Sequence, residues 1–157
     1  MKNKNILIVL VILLICTGGM FAQERQGYFK PTFSGGPLFF MDAGNTFTVF
    51  SLDLDYVGSS GLTIGFSDYI YLQEGNTINT FPVSVGYTYD FGRGAIGSKI
   101  MVMSFFPGNI LGVNLNGTLW FSNNIGLSVL LDLQMFSASG SDPQLGFAAR
   151  AGLSLKI

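Results

Sequence analysis

Asp53, Asp55, Asp90, Lys99, Asp132, Arg150 and Lys156 are the charged side chains whose positions could carry chemistry. Acids and bases so distributed can pair, gate an ion path, or supply a general base to a nucleophile. The chain has no histidine, which removes Ser-His-Asp and Cys-His catalysis and the commonest zinc ligand. An aspartate working with Ser137 or Ser139 is the remaining hydrolytic combination, and an unorthodox one, so the chain reads as non-enzymatic. Cys16 is the single cysteine, and no calcium-loop spacing or cysteine cluster appears, so neither a metal nor a cofactor is expected. Asn116-Gly-Thr118 has the form of a glycosylation triplet but falls within a strand.

The composition says where such groups would sit. Of the 157 residues, 48% are hydrophobic and only 11% charged, with a formal net charge of -1. Soluble domains usually carry about a quarter charged residues, so this chain has too few ions for an ordinary wetted surface. No basic run is present to meet a phosphate backbone, which argues against nucleic acid as a partner.

Lys2 and Lys4 precede an apolar run from Ile6 to Ile15, then Cys16-Thr-Gly-Gly-Met-Phe-Ala22 and the polar Gln-Glu-Arg-Gln. This is the order of a cleaved export signal, with the cut placed after Ala22. Residues 1–22 are thus expected to be a signal peptide and 23–157 a single domain. The apolar run is short for an uncleaved membrane anchor, and the bulky Ile15 before Cys16 does not suit a lipoprotein signal.

From Gly27 onward the periodicity is two. Phe81, Val83, Val85, Tyr87, Tyr89 and Phe91 alternate with Pro82, Ser84, Gly86, Thr88 and Asp90. Leu111 to Phe121, Ile125 to Met135 and Leu145 to Ile157 repeat the pattern. Turn signals at 42–45, 58–61, 73–76, 91–94, 107–109, 122–124 and 139–142 divide the chain into eight strands of about 11 to 14 residues, enough to cross a bilayer with a tilt. A soluble eight-stranded carrier of lipocalin type would need a polar exterior. Here the non-apolar face is Gly, Ser, Thr and Asn, which suits a crowded lumen, while the other face is continuous enough to meet lipid. In hydrocarbon every backbone group must pair within the protein, so these strands are expected to close into an all-β, antiparallel, up-and-down transmembrane barrel.

The chain resembles the small eight-stranded outer-membrane barrels of the OmpA/OmpX-like group over essentially everything after Ala22. The most specific feature is the end: Arg150, Gly152, Leu155 and Ile157 occupy the positions of the C-terminal assembly signal of that class, although the family usually ends in Phe. The resemblance implies an outer-membrane location, lipid and the assembly machinery as partners, and a role as anchor, adhesin or stress-related surface protein. Lipid-modifying members depend on histidine, which this chain lacks.

With apolar side chains outward, the charged residues named above point inward. Counting from the turn near Gly140 puts Arg150 almost opposite Asp132 on the adjacent strand, and similar depth lets Lys99 bridge to Asp53 across the bore. Opposite charges in so narrow a space should pair. The bland reading is a structural core, since at eight strands the interior is just filled; the other is a gated ion path. Asp68 continues the outward register of Leu62, Ile64 and Phe66, so a bulge at Ser67-Asp68 is expected to turn it inward and send Tyr69 and Tyr71 to an aromatic girdle with Tyr87, Tyr89, Phe91, Phe105, Phe106 and Phe121. Trp120 is expected to plug the inner mouth, and Pro31, Pro37 and Pro82 to cause bulges or local fraying. The four turns expected to face outward are short, which argues against a large recognition surface. The resulting expectation is a non-enzymatic barrel with a structural or surface-interaction role, its surface ligand unspecified. A narrow pore and a secreted soluble carrier are the alternatives.

Overall fold

The computed structural model describes residues 27–41, 46–73, 75–105, 108–138 and 142–157. The expected leader at 1–22 and its cleavage site lie outside them. The described chain forms β1 (Tyr28–Phe40), β2 (Thr46–Val57), β3 (Leu62–Gln73), β4 (Asn76–Thr80), β5 (Val83–Asp90), β6 (Gly94–Phe105), β7 (Gly108–Trp120), β8 (Ile125–Ala138) and β9 (Gln144–Leu155). Every pairing is antiparallel, and the order β2-β1-β9-β8-β7-β6-β5-β3-β4 closes on itself through β2 and β3. β4 and β5 keep one register against β3, with Tyr69 opposite Thr80 and Phe66 opposite Val83, so they are two parts of a single strand. The ring therefore has eight staves.

The interruption falls at Phe81-Pro82. Pro82 has no N–H to give, although its carbonyl still accepts from Ser67 N at 3.0 Å. Pro37 acts likewise: the β1–β9 pairing lapses between Gly35↔Ala151 and Leu38↔Ala148 and resumes in the same register. The prolines fray the ladder without shifting it.

Alternation decides the faces. Val83, Ile64 and Leu127 point outward and are 57–58% exposed, whereas Asp53, Asp132 and Arg150 point into the bore and are at most 1% exposed. The bore can be filled because some inward positions lack a side chain. A Cβ on Gly65 would collide with the Asp55 carboxylate and Ser84 Oγ, so glycine there makes room for an ion. A Cβ on Gly152 would run into the Phe33 carbonyl oxygen, so glycine lets β9 lie against β1 at the seam that closes the ring.

The bulge expected at Ser67-Asp68 is absent. The β2–β3 register runs unbroken from Val57↔Thr63 to Thr48↔Leu72, with Leu52 opposite Asp68. Asp68 therefore stays on the outward face, and Tyr69 and Tyr71 lie buried in the lumen rather than in a girdle. A bulge would have broken paired backbone on β3 and removed Tyr69 from the arginine it contacts, while an outward Asp is penalised less than an outward Lys or Arg. Tyr89, Phe91 and Phe121 do face outward near the inner end, and the side chains of Phe105 and Phe106 lie outside what is described.

Candidate functional site: the packed lumen

The lumen is stacked in three tiers. At the end bearing the 42–45, 74, 106–107 and 139–141 connections, Leu38, Val49, Tyr69, Tyr71, Met101 and Ala148 form a buried apolar cluster, against which Phe40, Phe47 and Phe136 pack. Phe40 meets Phe47 at 5.3 Å and Phe136 at 5.1 Å between ring centroids, in tilted and edge-on arrangements that such rings favour. Tyr71 donates to Gln134 Oε1 at 3.0 Å, so its buried hydroxyl is satisfied.

Below this plug lies an ionic tier centred on Arg150. Its Nε donates to Asp132 Oδ2 at 2.7 Å, its Nη1 to Asp53 Oδ2 at 3.2 Å and Ser34 Oγ at 2.9 Å, and its Nη2 to Tyr69 Oη at 2.8 Å. Nη1 also contacts Ser51 Oγ. The guanidinium sits 4.6 Å from the Tyr69 ring centroid, a cation–π distance. Thus the pair counted from the turn near Gly140 lies in direct contact. Lys99 differs in detail: its Nζ donates to both oxygens of Asp55, at 2.8 and 2.9 Å, and stands 3.9 Å from Asp53. Arg150 has already engaged Asp53, so Lys99 takes the carboxylate one pleat nearer the inner turn.

Three buried residues extend this network beyond the charges singled out from the sequence. Asn114 Nδ2 donates to Asp132 at 2.6 Å, Asn116 Nδ2 to Asn114 at 3.0 Å, and Lys30 Nζ to Asn116 at 3.3 Å. Lys30 shares the even register of Thr32 and Ser34, the signal that could have placed it inside. Three cations, Lys30, Lys99 and Arg150, then balance three anions, Asp53, Asp55 and Asp132, in this tier. Neutrality and dense hydrogen bonding offset much of the desolvation penalty of burying six ions. The network joins side chains of β1, β2, β3, β6, β7, β8 and β9.

The inner tier is made of hydroxyls and rings. Thr32, Ser154, Ser128 and Thr118 form a hydroxyl chain across β1, β9, β8 and β7, with steps of 2.6, 2.5 and 2.8 Å. At the mouth Lys156 Nζ donates to Asp90 Oδ2 at 2.9 Å and lies 4.3 Å from the Tyr28 ring centroid and 5.8 Å from that of Trp120. Trp120 is buried here, on the lumen side. Among the described residues, no three potential metal-ligating side chains gather in one place.

Of the residues matching the C-terminal signal, Arg150 and Gly152 therefore have structural duties, at the ionic hub and the seam. Leu155 and Ile157 face outward at 43% and 73% exposure, and Ile157 exchanges two backbone hydrogen bonds of 2.9 Å with Phe29.

No protein-family model matches the chain, and no curated protein matches it. Solved structures share its architecture. One is a de novo designed transmembrane β-barrel, with a TM-score of 0.62 and 12% identity, covering 86% of this chain and 99% of the design. Another is Neisserial surface protein A (NspA), with a TM-score of 0.63 and 10% identity, covering 83% of this chain and 97% of NspA. At such identities the likeness is one of fold, and the fold of this chain is that of a small transmembrane β-barrel of outer-membrane type.

Proposed function

We propose that the protein is a non-enzymatic integral outer-membrane β-barrel of the OmpA/OmpX-like kind, with a structural or surface-interaction role. Residues 1–22 direct export. The segment with Arg150, Gly152, Leu155 and Ile157 presents the final strand to the assembly machinery, and lipid surrounds the mature barrel. The observation that carries this reading is the inverted polarity: aliphatic and aromatic side chains dominate the outward face while every charged side chain of the described strands except Asp68 lies inside. A soluble carrier would have the reverse arrangement.

A structural lumen is favoured over a pore because the Arg150 network and the aromatic plug lie in series across the bore. The ionisable groups engage one another inside the barrel rather than standing beside a nucleophile at a membrane face, which supports a non-catalytic role. Two measurements test the proposal. Membranes washed with high salt should retain the protein and detergent should release it, with heat-modifiable migration on gels; release by salt would refute membrane integration. In planar bilayers the purified barrel should pass no steady current, and Lys99→Ala should not create one; steady unitary conductance would favour the pore.

A further inference from the structure

Asp68 is the one charged side chain on the outward face of the described strands. No hydrogen bond or ion pair joins it to another described residue, and its Oδ1 is buried without a partner. The residue as a whole is only half-buried, so Oδ2 is the oxygen that still meets the membrane.

Its depth follows from register. Asp68 lies opposite Leu52 on β2, equally far along that strand from Thr48 and from Tyr56, the polar and aromatic ends of the outward face there. An apolar band about 25 Å tall puts its middle roughly 12 Å from either headgroup layer. A lipid ammonium does not reach so short a side chain at that depth, and acyl chains offer no hydrogen bond. Ionisable groups inside a membrane pair with one another. The ground around Asp68 is suited to contact. On the other side of β3 it faces Phe81, by the register that runs from Tyr69↔Thr80 to Phe66↔Val83. The Phe66 and Phe81 rings stack at 6.1 Å with 10° between their planes, a flat apolar platform beside the carboxylate. Leu52, Phe66 and Phe81 are 42–51% exposed.

We propose that the outward face around Asp68 is the contact between two copies of this barrel, related by a two-fold axis along the membrane normal, with the two Asp68 carboxyls hydrogen-bonded to each other. This deepens the surface-interaction role and rests on the membrane integration proposed above. Copies inserted the same way round are related by an axis along the normal, so each carries Asp68 at the same depth. At the axis the residue meets itself, and Leu52 of one copy faces Phe81 of the other. One carboxyl donates its O–H to an oxygen of the other, so the pair keeps at least one proton. Ser98, an outward hydroxyl on β6, is the competing partner. It falls on the row of Tyr87 and Leu62, at the foot of β3, and so lies nearer the inner rim than Asp68.

The test uses the full barrel in phospholipid vesicles, with donor- and acceptor-labelled populations mixed over a range of lipid excess. Energy transfer should exceed that of random crowding and fall away on dilution with lipid. Asp68→Leu should weaken association about three- to tenfold while keeping heat-modifiable migration, and Asp68→Asn, whose amide still donates and accepts, should associate like the parent. Ser98→Ala should change nothing. In a Cys16→Ser background, barrels with Leu52→Cys mixed with barrels carrying Phe81→Cys should cross-link much faster than barrels with Val129→Cys, which lies on the far side of the ring. The proposal fails if transfer never exceeds crowding, if Asp68→Leu associates like the parent, if Asp68→Asn is as weak as Asp68→Leu, or if Ser98→Ala abolishes association. Equal cross-linking at Val129→Cys would make the contact unspecific and overturn it. So would a Leu52→Cys cross-link to a different protein in native membranes with no transfer between copies, which would give the site another occupant. Release of the protein by salt would sink the membrane reading separately, whatever the vesicles show.

Discussion

The two sides of the ring obey different rules. From β7 through β8 and β9 to β1 the ladders run almost the full height of the wall, with Gly108↔Ala138 to Trp120↔Gly126 unbroken and a lapse only around Pro37. On the side of β3 to β6 the strand breaks at Phe81-Pro82, and among the described residues the β5–β6 pairing ends at Val83↔Val102. Both sides have equally apolar faces below the break. Unbroken pairing thus coincides with the apolar outward faces, where hydrocarbon would leave backbone groups without partners, and the breaks among the described residues fall at prolines.

Among substitutions that keep the backbone N–H, the largest effect is expected at the closed seam. Gly152→Val would push a side chain into the Phe33 carbonyl and the Ser34 backbone, with no flexible group to yield. The heat-modifiable folded form should be largely lost from gels. Next comes the hub on the same side. Arg150→Ala leaves Asp53 and Asp132 buried without their cation and should cost about 3–5 kcal/mol in denaturant unfolding of the folded barrel. Lys99→Ala should cost less, because Asp53 keeps Arg150 and only Asp55 loses its closest partner.

The closed side is also the side that the sequence makes legible. Leu111 to Phe121 and Ile125 to Met135 alternate with few exceptions, Gly117, Trp120 and Leu130 among them, and counting from one turn brings Arg150 to Asp132. The broken side was harder to read for identifiable reasons. Tyr69 and Tyr71 continue the inward register of Thr63 and Ser67, but weighing a lipid-facing Asp68 too heavily suggests a bulge that backbone pairing does not make. The choice of Asp55 over Asp53 by Lys99 depends on which carboxylate Arg150 has already engaged, a competition across the bore between strands far apart in the chain. The far side of β4 is illegible in principle: Asn76 to Thr80 reads as ordinary strand, and which neighbour that side meets depends on the relative course of β4 and β6 around the closed ring.

Asp68 measures the difference between the sides in the opposite direction. Asp68→Leu exchanges a carboxylate flanked by Leu52, Phe66 and Phe81 for an aliphatic side chain on a lipid-facing register, and should stabilise the barrel by about 1 kcal/mol. Denaturant titration in lipid would show the gain, and a loss would mean that Asp68 already has a partner in the isolated barrel.

The smallest expected effect discriminates most sharply. Val129 sits in β8 between Gly117 of β7 and Ala151 of β9, so Val129→Pro removes a donor from a ladder flanked on both sides. An unsatisfied backbone carbonyl in hydrocarbon costs several kcal/mol, and folding should fail or weaken severely. Asn79→Pro makes the same chemical change in β4, whose strand pairing among the described residues is with β3 alone, on the side away from the Asn79 N–H. Its cost should be under about 0.5 kcal/mol, the range of substitutions that disturb no buried feature. If both variants were equally destabilised, the β4 edge would have to be paired like the seam opposite. The wall would then be closed to its rim, and the distinction between its two sides would disappear.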